Sequence, residues 1–193
     1  MSIRIQKLRA TLPGHNAPAA LIMNPENVGY LTGFSGTTAA LIVTEERALF
    51  ITDSRYAVQA GRECPGFELV ITKGSGAYHE TISEQAKALA LPKLAVEADF
   101  LTVAQYEQLA KSLEGVELSG VSDLVGILRR VKDPLEIDRL RAACALADRT
   151  FDFVLALLRP GMTSRGKIYA GERLWGQLVL QSLLDLVSLD YRF

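Results

Sequence analysis

Two cysteines, two histidines and one tryptophan in 193 residues leave little material for redox or metal chemistry. Cys64 and Cys144 lie far apart and form no C-x-x-C unit. This excludes a disulfide framework and a zinc clasp, and the two are expected to be reduced, buried thiols. His15 sits between Gly14 and Asn16 in a loop, and His79 precedes Glu80 at a helix start. A metal site needs three or four convergent ligands, so no metal ligand is assigned. No run of ~18 apolar residues exists to cross a bilayer. Met1-Ser-Ile-Arg-Ile-Gln-Lys7 has no apolar leader core, so a cytoplasmic protein is expected. The 21 basic and 22 acidic residues almost cancel, so neither nucleic acid nor a membrane surface is an expected partner. G-x-S-x-G, H-E-x-x-H, P-loop and G-x-G-x-x-G patterns are missing, and Lys73-Gly-Ser-Gly76 lacks phosphate-cradling spacing. No catalytic residue is assigned.

What is present is a core. Hydrophobic residues make up 49% and charged residues 22%, ordinary for a globular chain. Up to residue 132, short β-like runs alternate with helical segments. Residues 2–12 read as an opening helix through Ile5, Leu8 and Leu12, and Ala19–Met23 as a buried strand. Residues 39–44 and 48–52 flank Glu45-Glu46-Arg47 as an antiparallel hairpin. Residues 55–63 read as helix, 67–72 as strand, 78–90 as helix and 94–97 as strand. Thr102-Val-Ala-Gln105 fits a capping box, starting a helix with Val103, Tyr106, Ala110 and Leu113 on one face. Residues 116–118 make a last short strand. Such alternation predicts a three-layer α/β/α domain, and the hairpin makes its sheet mixed, with five or six strands.

The pattern changes at Asp133-Pro134. Asp133 can cap a helix, Pro134 suits its first position, and Glu136 lies in the favourable first turn. Ile137, Leu140, Cys144, Ala147, Phe151, Val154 and Leu158 then form a helical seam that Pro160-Gly161 ends. Further on, Trp175, Val179, Leu183 and Leu186 share a face, while Leu178, Leu180, Leu184, Val187 and Leu189 cover much of the remainder. A helix apolar nearly all round needs burial on several sides. The reading is of an α/β domain over residues 1–130. A helical linker and a divergent C-terminal helix are expected over residues 131–193.

Three blocks carry the most specific signal: Asn27-Val-Gly-Tyr-Leu-Thr-Gly-Phe-Ser-Gly36 with Thr52-Asp-Ser-Arg-Tyr56; Leu128-Arg-Arg-Val-Lys-Asp-Pro-Leu-Glu-Ile137; and Leu158-Arg-Pro-Gly-Met-Thr163. Their order and separation over residues 3–163 resemble the N-terminal domain of the Xaa-Pro aminopeptidase, prolidase and creatinase family. The resemblance implies a creatinase-like fold with a ribonuclease H-like motif. It also implies that the catalyst lies elsewhere, in a following metallopeptidase domain with two divalent ions, often Mn or Co, held by five ligands beyond the point corresponding to Thr163. None of the five can be assigned in this chain, so no cofactor is expected in it. The change after Thr163 reads as truncation, a reading-frame shift or divergence.

In such proteins the N-terminal domain helps build the oligomer and borders a partner's active site. By that resemblance Asn27 and Tyr30 are the candidate substrate-proximal residues. Their alternative roles are structural: Asn27 as a cap after Pro25, and Tyr30 packed on the sheet. Gly33 and Gly36 are expected to permit positive φ or close backbone approach. Asp53 and Arg55 are expected to pair or to cap the next helix, and Tyr56, Lys132, Asp133 and Pro134 complete the structural motif. Three functions stay open: a non-catalytic assembly module, an Xaa-Pro peptidase completed by a separate catalytic chain, and a stand-alone interaction module. A homodimer through residues 134–193 is the expected assembly.

Overall fold

The computed structural model describes residues 3–74 and 78–157. The block Leu158–Thr163, the apolar segment around Trp175 and the end of the Lys73–Ala77 loop lie outside the described residues. The chain divides into one unit through Pro134 and a second from Leu135.

The apolar runs become six strands: β1 Ala19–Ile22, β2 Ala40–Thr44, β3 Ala48–Thr52, β4 Glu68–Ile71, β5 Lys93–Glu97 and β6 Glu117–Val121. They form one sheet in the order β4-β3-β2-β1-β5-β6. β1, β2 and β3 are antiparallel neighbours, whereas β4 on β3, β5 on β1 and β6 on β5 are parallel. The sheet is therefore mixed. β1 and β3 are buried along their whole length, as continuous apolar runs between two helical layers must be.

One face packs α1 Ile3–Thr11, α2 Pro25–Thr32, α3 Ala57–Glu63 and α6 Gly126–Arg130 over Ile22, Leu41, Val43 and Phe50. The other packs α4 Tyr78–Ala88 and α5 Val103–Ser112 over Leu21, Ile42, Ile51 and Val96. This is the expected three-layer arrangement.

α5 begins with the expected capping box. The Gln105 amide donates to Thr102 Oγ1 at 3.2 Å, and the Thr102 amide donates to Gln105 Oε1 at 2.9 Å. Its buried face differs from the sequence reading. Leu109 and Leu113 are the buried positions, Tyr106 is half-buried, and Val103 and Ala110 face solvent. Both sets have helical spacing, and only the docking angle of α5 on the sheet separates them. The last strand runs to Val121, further than its apolar start indicates. α7, Pro134–Leu157, is a continuous helix through the expected seam. Both cysteines are free; Cys64 is buried as expected, but Cys144 is exposed.

Candidate functional site

α2 positions the first motif. Its N-cap is Asn24, whose Oδ1 accepts from the amides of Glu26 at 2.9 Å and Asn27 at 3.4 Å. Capping was the structural alternative expected of Asn27. Pro25 occupies the first helical turn, which fixes the cap one residue before it and frees Asn27 for another task.

That task is to meet Glu97. β5 ends on this carboxylate, only 2% exposed. Asn27 Nδ2 donates to Glu97 Oε1 at 2.6 Å, and the amides of Met23 and Asn24 donate to Oε2 at 2.6 and 2.8 Å. Burial pushes the Glu97 pKa up, against the pull of these donors and with a small push from Asp99. Asn27 Oδ1 in turn accepts from Arg129 of α6 at 2.9 Å. The Asn27 amide thus bridges a carboxylate and a guanidinium, which fixes its orientation.

Tyr30, one helical turn on, is half-buried against the core. Its hydroxyl donates to the Leu128 carbonyl at 3.2 Å. The Arg4 guanidinium lies 4.2 Å over its ring, donates to the Tyr30 carbonyl at 2.7 Å and pairs with Asp133 at 2.9 Å. Arg4 therefore ties the first motif to the Lys132-Asp133-Pro134 junction. Lys132 donates to the Arg130 carbonyl at 3.1 Å, and Pro134 opens α7.

The second cluster surrounds Gly36. Gly33 ends α2 at φ 83°, the left-handed geometry expected of it, with its amide on the Gly29 carbonyl at 2.8 Å. Gly36 serves close approach instead: a Cβ there would stand 2.4 Å from Phe34 Cζ and 2.9 Å from Tyr56 Cδ1. The Phe34 ring meets Phe50 and Tyr56 edge-on at centroid distances of 4.9 and 5.7 Å. The Tyr56 hydroxyl and Thr37 Oγ1 are 2.9 Å apart, a hydrogen bond that lowers the Tyr56 pKa. Arg55 grips Asp53 bidentately, Nε to Oδ1 at 3.0 Å and Nη2 to Oδ2 at 2.7 Å, and holds that carboxyl below its ordinary value. The pair expected here forms. The cap does not, because α3 starts after Tyr56 and Asp53 instead accepts from the Arg55 amide at 3.0 Å. Glu63 accepts from the Ser35 amide at 2.8 Å and from Ser35 Oγ at 3.0 Å, and the amide contact lowers its pKa.

In this arrangement Arg4–Asp133 and Arg55–Asp53 are ion pairs, whereas Glu97, Glu63 and Arg129 are held by amides and a hydroxyl. The arrangement builds a rigid rim from α2 and the Gly33–Thr38 loop. Asn27 and Tyr30 both reach α6, at Arg129 and Leu128, whereas Asp53, Arg55 and Tyr56 belong to the second cluster. Sequence reasoning missed Asn24, Glu97, Arg129 and Arg4. A lone acid ending the apolar run Leu94-Ala-Val-Glu97 was the only available signal. Among the described residues no three His, Cys, Asp or Glu side chains gather as metal ligands. The described residues therefore offer no ligand set for a pair of divalent ions. Among the described residues no helix is long and apolar enough to cross a membrane.

Residues 4–131 match the family model described as the Creatinase/Prolidase N-terminal domain. An Xaa-Pro dipeptidase from Bacillus anthracis is similar over 83% of this chain and 44% of its own, with 32% identity and a TM-score of 0.78. The N-terminal domain of the cytoplasmic peptidase PepQ from Mycobacterium tuberculosis H37Rv is covered over 99% of its length by 66% of this chain, at 34% identity and a TM-score of 0.62. The uncharacterized peptidase YqhT of Bacillus subtilis (strain 168) is 29% identical over 161 residues, 83% of this chain and 45% of that protein. The chain thus spans about half the length of the curated relatives it matches.

Proposed function

Because the chain belongs to the Creatinase/Prolidase N-terminal domain family, we propose that it serves as the non-catalytic module of a proline-peptidase-like protein. It assembles the oligomer and lends the α2 rim to the border of a partner's active site. The observation that carries this reading is the clasp of Asn27 on Glu97 and Arg129. It holds the segment that the resemblance places near substrate as a fixed wall, suited to limiting substrate length. By the same reading the protein works in the cytoplasm.

The test is hydrolysis of Xaa-Pro dipeptides and longer Xaa-Pro peptides by the purified chain with Mn or Co. No release above a mock-purified control is expected. Metal-dependent release of the N-terminal residue would overturn the reading.

A second reading has its own support: the relatives bear peptidase names and are about twice as long in chain. In it the module completes an Xaa-Pro peptidase when a catalytic domain supplies the metal pair. Titrating the chain into such a domain, and measuring the cut-off in peptide length, distinguishes a bordering wall from an inert passenger. A stand-alone interaction module would leave that cut-off unchanged.

Assembly through residues 134–193 belongs to the same proposal. The seam Ile137, Leu140, Cys144, Ala147, Phe151 and Val154 on α7 repeats at alternating spacings of three and four, the period of helix-on-helix packing. A two-fold pair is the commonest closed product. Light scattering of the full chain should show its mass halved by the Leu140→Glu, Ala147→Glu double substitution. An unchanged mass would place the contact elsewhere.

A further inference from the structure

We propose that the open edge of β4 is a second contact between copies of this chain, an antiparallel strand pairing with its two-fold axis at Val70. The proposal rests on the sheet alone and requires neither the peptidase reading nor α7.

β4 is a terminal strand of the sheet, and its only partner among the described residues is β3. In a parallel pair, successive residues turn their backbone groups alternately toward the neighbour and away from it. The Thr72 amide donates to the Thr52 carbonyl at 2.8 Å, so position 72 faces inward. By that alternation Glu68 and Val70 also face β3, while Leu69 and Ile71 aim their N–H and C=O groups at the open edge.

The side chains select the same two residues. Leu69 and Ile71 are 41% and 38% exposed, on the face where the aligned Phe50 of β3 is fully buried. Natural edges are blunted by short length, charge, proline or a bulge; four-residue β4 carries one charge, Glu68 at its start, and Leu69-Val-Ile71 is uncharged and free of proline. The opposite edge differs. β6 carries Ser119 and Gly120, and its Leu118 carbonyl already accepts from the Tyr106 hydroxyl at 3.3 Å.

A two-fold axis through Val70, perpendicular to the sheet, sets Leu69 of one copy opposite Ile71 of the other. Each such pair is then a hydrogen-bonded pair exchanging both N–H···O=C bonds. The same register joins the two exposed apolar side chains on one face. Outward backbone groups and exposed side chains both belong to Leu69 and Ile71, and the register centred on Val70 is the one that pairs them with each other. It also brings the acidic end of each strand, Glu68, which Arg47 holds, near the basic end of the other, Lys73, whose side chain is 84% exposed beside Glu84. A register centred on Leu69 or on Ile71 would set one of them against itself and lose this match.

Oxidative cross-linking of the full chain tests the alignment. With Cys144→Ser removing the exposed thiol and Cys64 buried, Val70→Cys stands opposite itself in a non-hydrogen-bonded pair. The Cα separation there, about 4.5 Å, allows a disulfide. Covalent dimer is expected from Val70→Cys, and its loss from Glu68→Cys, which faces Thr72. Leu69→Pro removes an outward N–H while sparing the ladder to β3, and Leu69→Lys adds repulsion; either, combined with Val70→Cys, should abolish the cross-link while circular dichroism stays unchanged. A folded Val70→Cys chain that does not cross-link overturns the proposal. This holds whether the chain is then monomeric, assembled only through α7, or paired along β4 with an extended peptide.

Discussion

The side-chain amide of Asn27 donates to the buried carboxylate of Glu97 at 2.6 Å, across 70 positions of sequence. This contact makes Asn27 a structural bridge, and it can be tested as one. Asn27→Ala would leave Glu97 Oε1 and the Arg129 guanidinium without their shared partner. A buried acceptor so stranded costs about 1–3 kcal/mol. Urea denaturation should report that loss, with the slope unchanged. A variant as stable as the parent would mean that water replaces the amide without cost.

Glu97 also sets a pH dependence. Burial raises its folded-state pKa above the unfolded glutamate value, about 4.3. Its contribution to stability is therefore fully present below that unfolded value and is lost as pH rises through the raised folded one. Glu97→Gln should remove this decline. The difference in stability between the two proteins, followed by thermal melting from acid to neutral pH, should change across that window. A difference independent of pH would contradict the assignment.

Asp53 works in the opposite sense. Arg55 lowers its pKa, so its contribution is present above the unfolded aspartate value and is lost as pH falls through the lowered folded one. Asp53→Asn should therefore flatten the acid limb of the stability curve and leave the neutral region parallel to the parent. An unaltered acid limb would show that Arg55 pairs with Asp53 too weakly in solution to matter.

The glycines should separate by cause. Gly36→Ala forces a methyl into the Phe34 and Tyr56 rings, and overpacking of this kind costs about 1–3 kcal/mol. Adding Phe34→Leu to it should recover part of the loss. Gly61→Ala, inside α3 with no atom within 4 Å of the new methyl, should stabilise by about 0.5–1 kcal/mol. Chemical denaturation of the three variants checks both signs.

These contacts also explain what could be read from the chain. The six strands and their order of appearance were legible because apolar runs between turn residues carry their own signal. The Thr102–Gln105 box was legible because both partners lie within one turn. The buried face of α5 was not, since Val103, Tyr106, Ala110 and Leu113 fit a helical stripe as well as Tyr106, Leu109 and Leu113 do. The task of Asn27 was hidden for a different reason: its partners, Glu97 and Arg129, are brought to it only by the β1–β5 pairing and the return of α6. Gly36 was marked as special, but the cause, two aromatic rings rather than its own φ, is a tertiary fact.

The strand order carries a further implication, for the sequence of events in folding. β1 to β4 are joined neighbour to neighbour, so that four of the six strands can pair in chain order, each with the strand next to it in sequence. β5 must then reach back to β1, closing a loop that spans α2, β2, β3, α3, β4 and α4, with a larger entropic cost. The Asn27–Glu97 bridge sits across this closure. Its formation should follow the assembly of the β1–β4 part of the sheet, so Asn27→Ala should accelerate unfolding and leave the refolding rate nearly unchanged. The rim beside α2 would then be the last part of the domain to acquire its shape and the first to lose it.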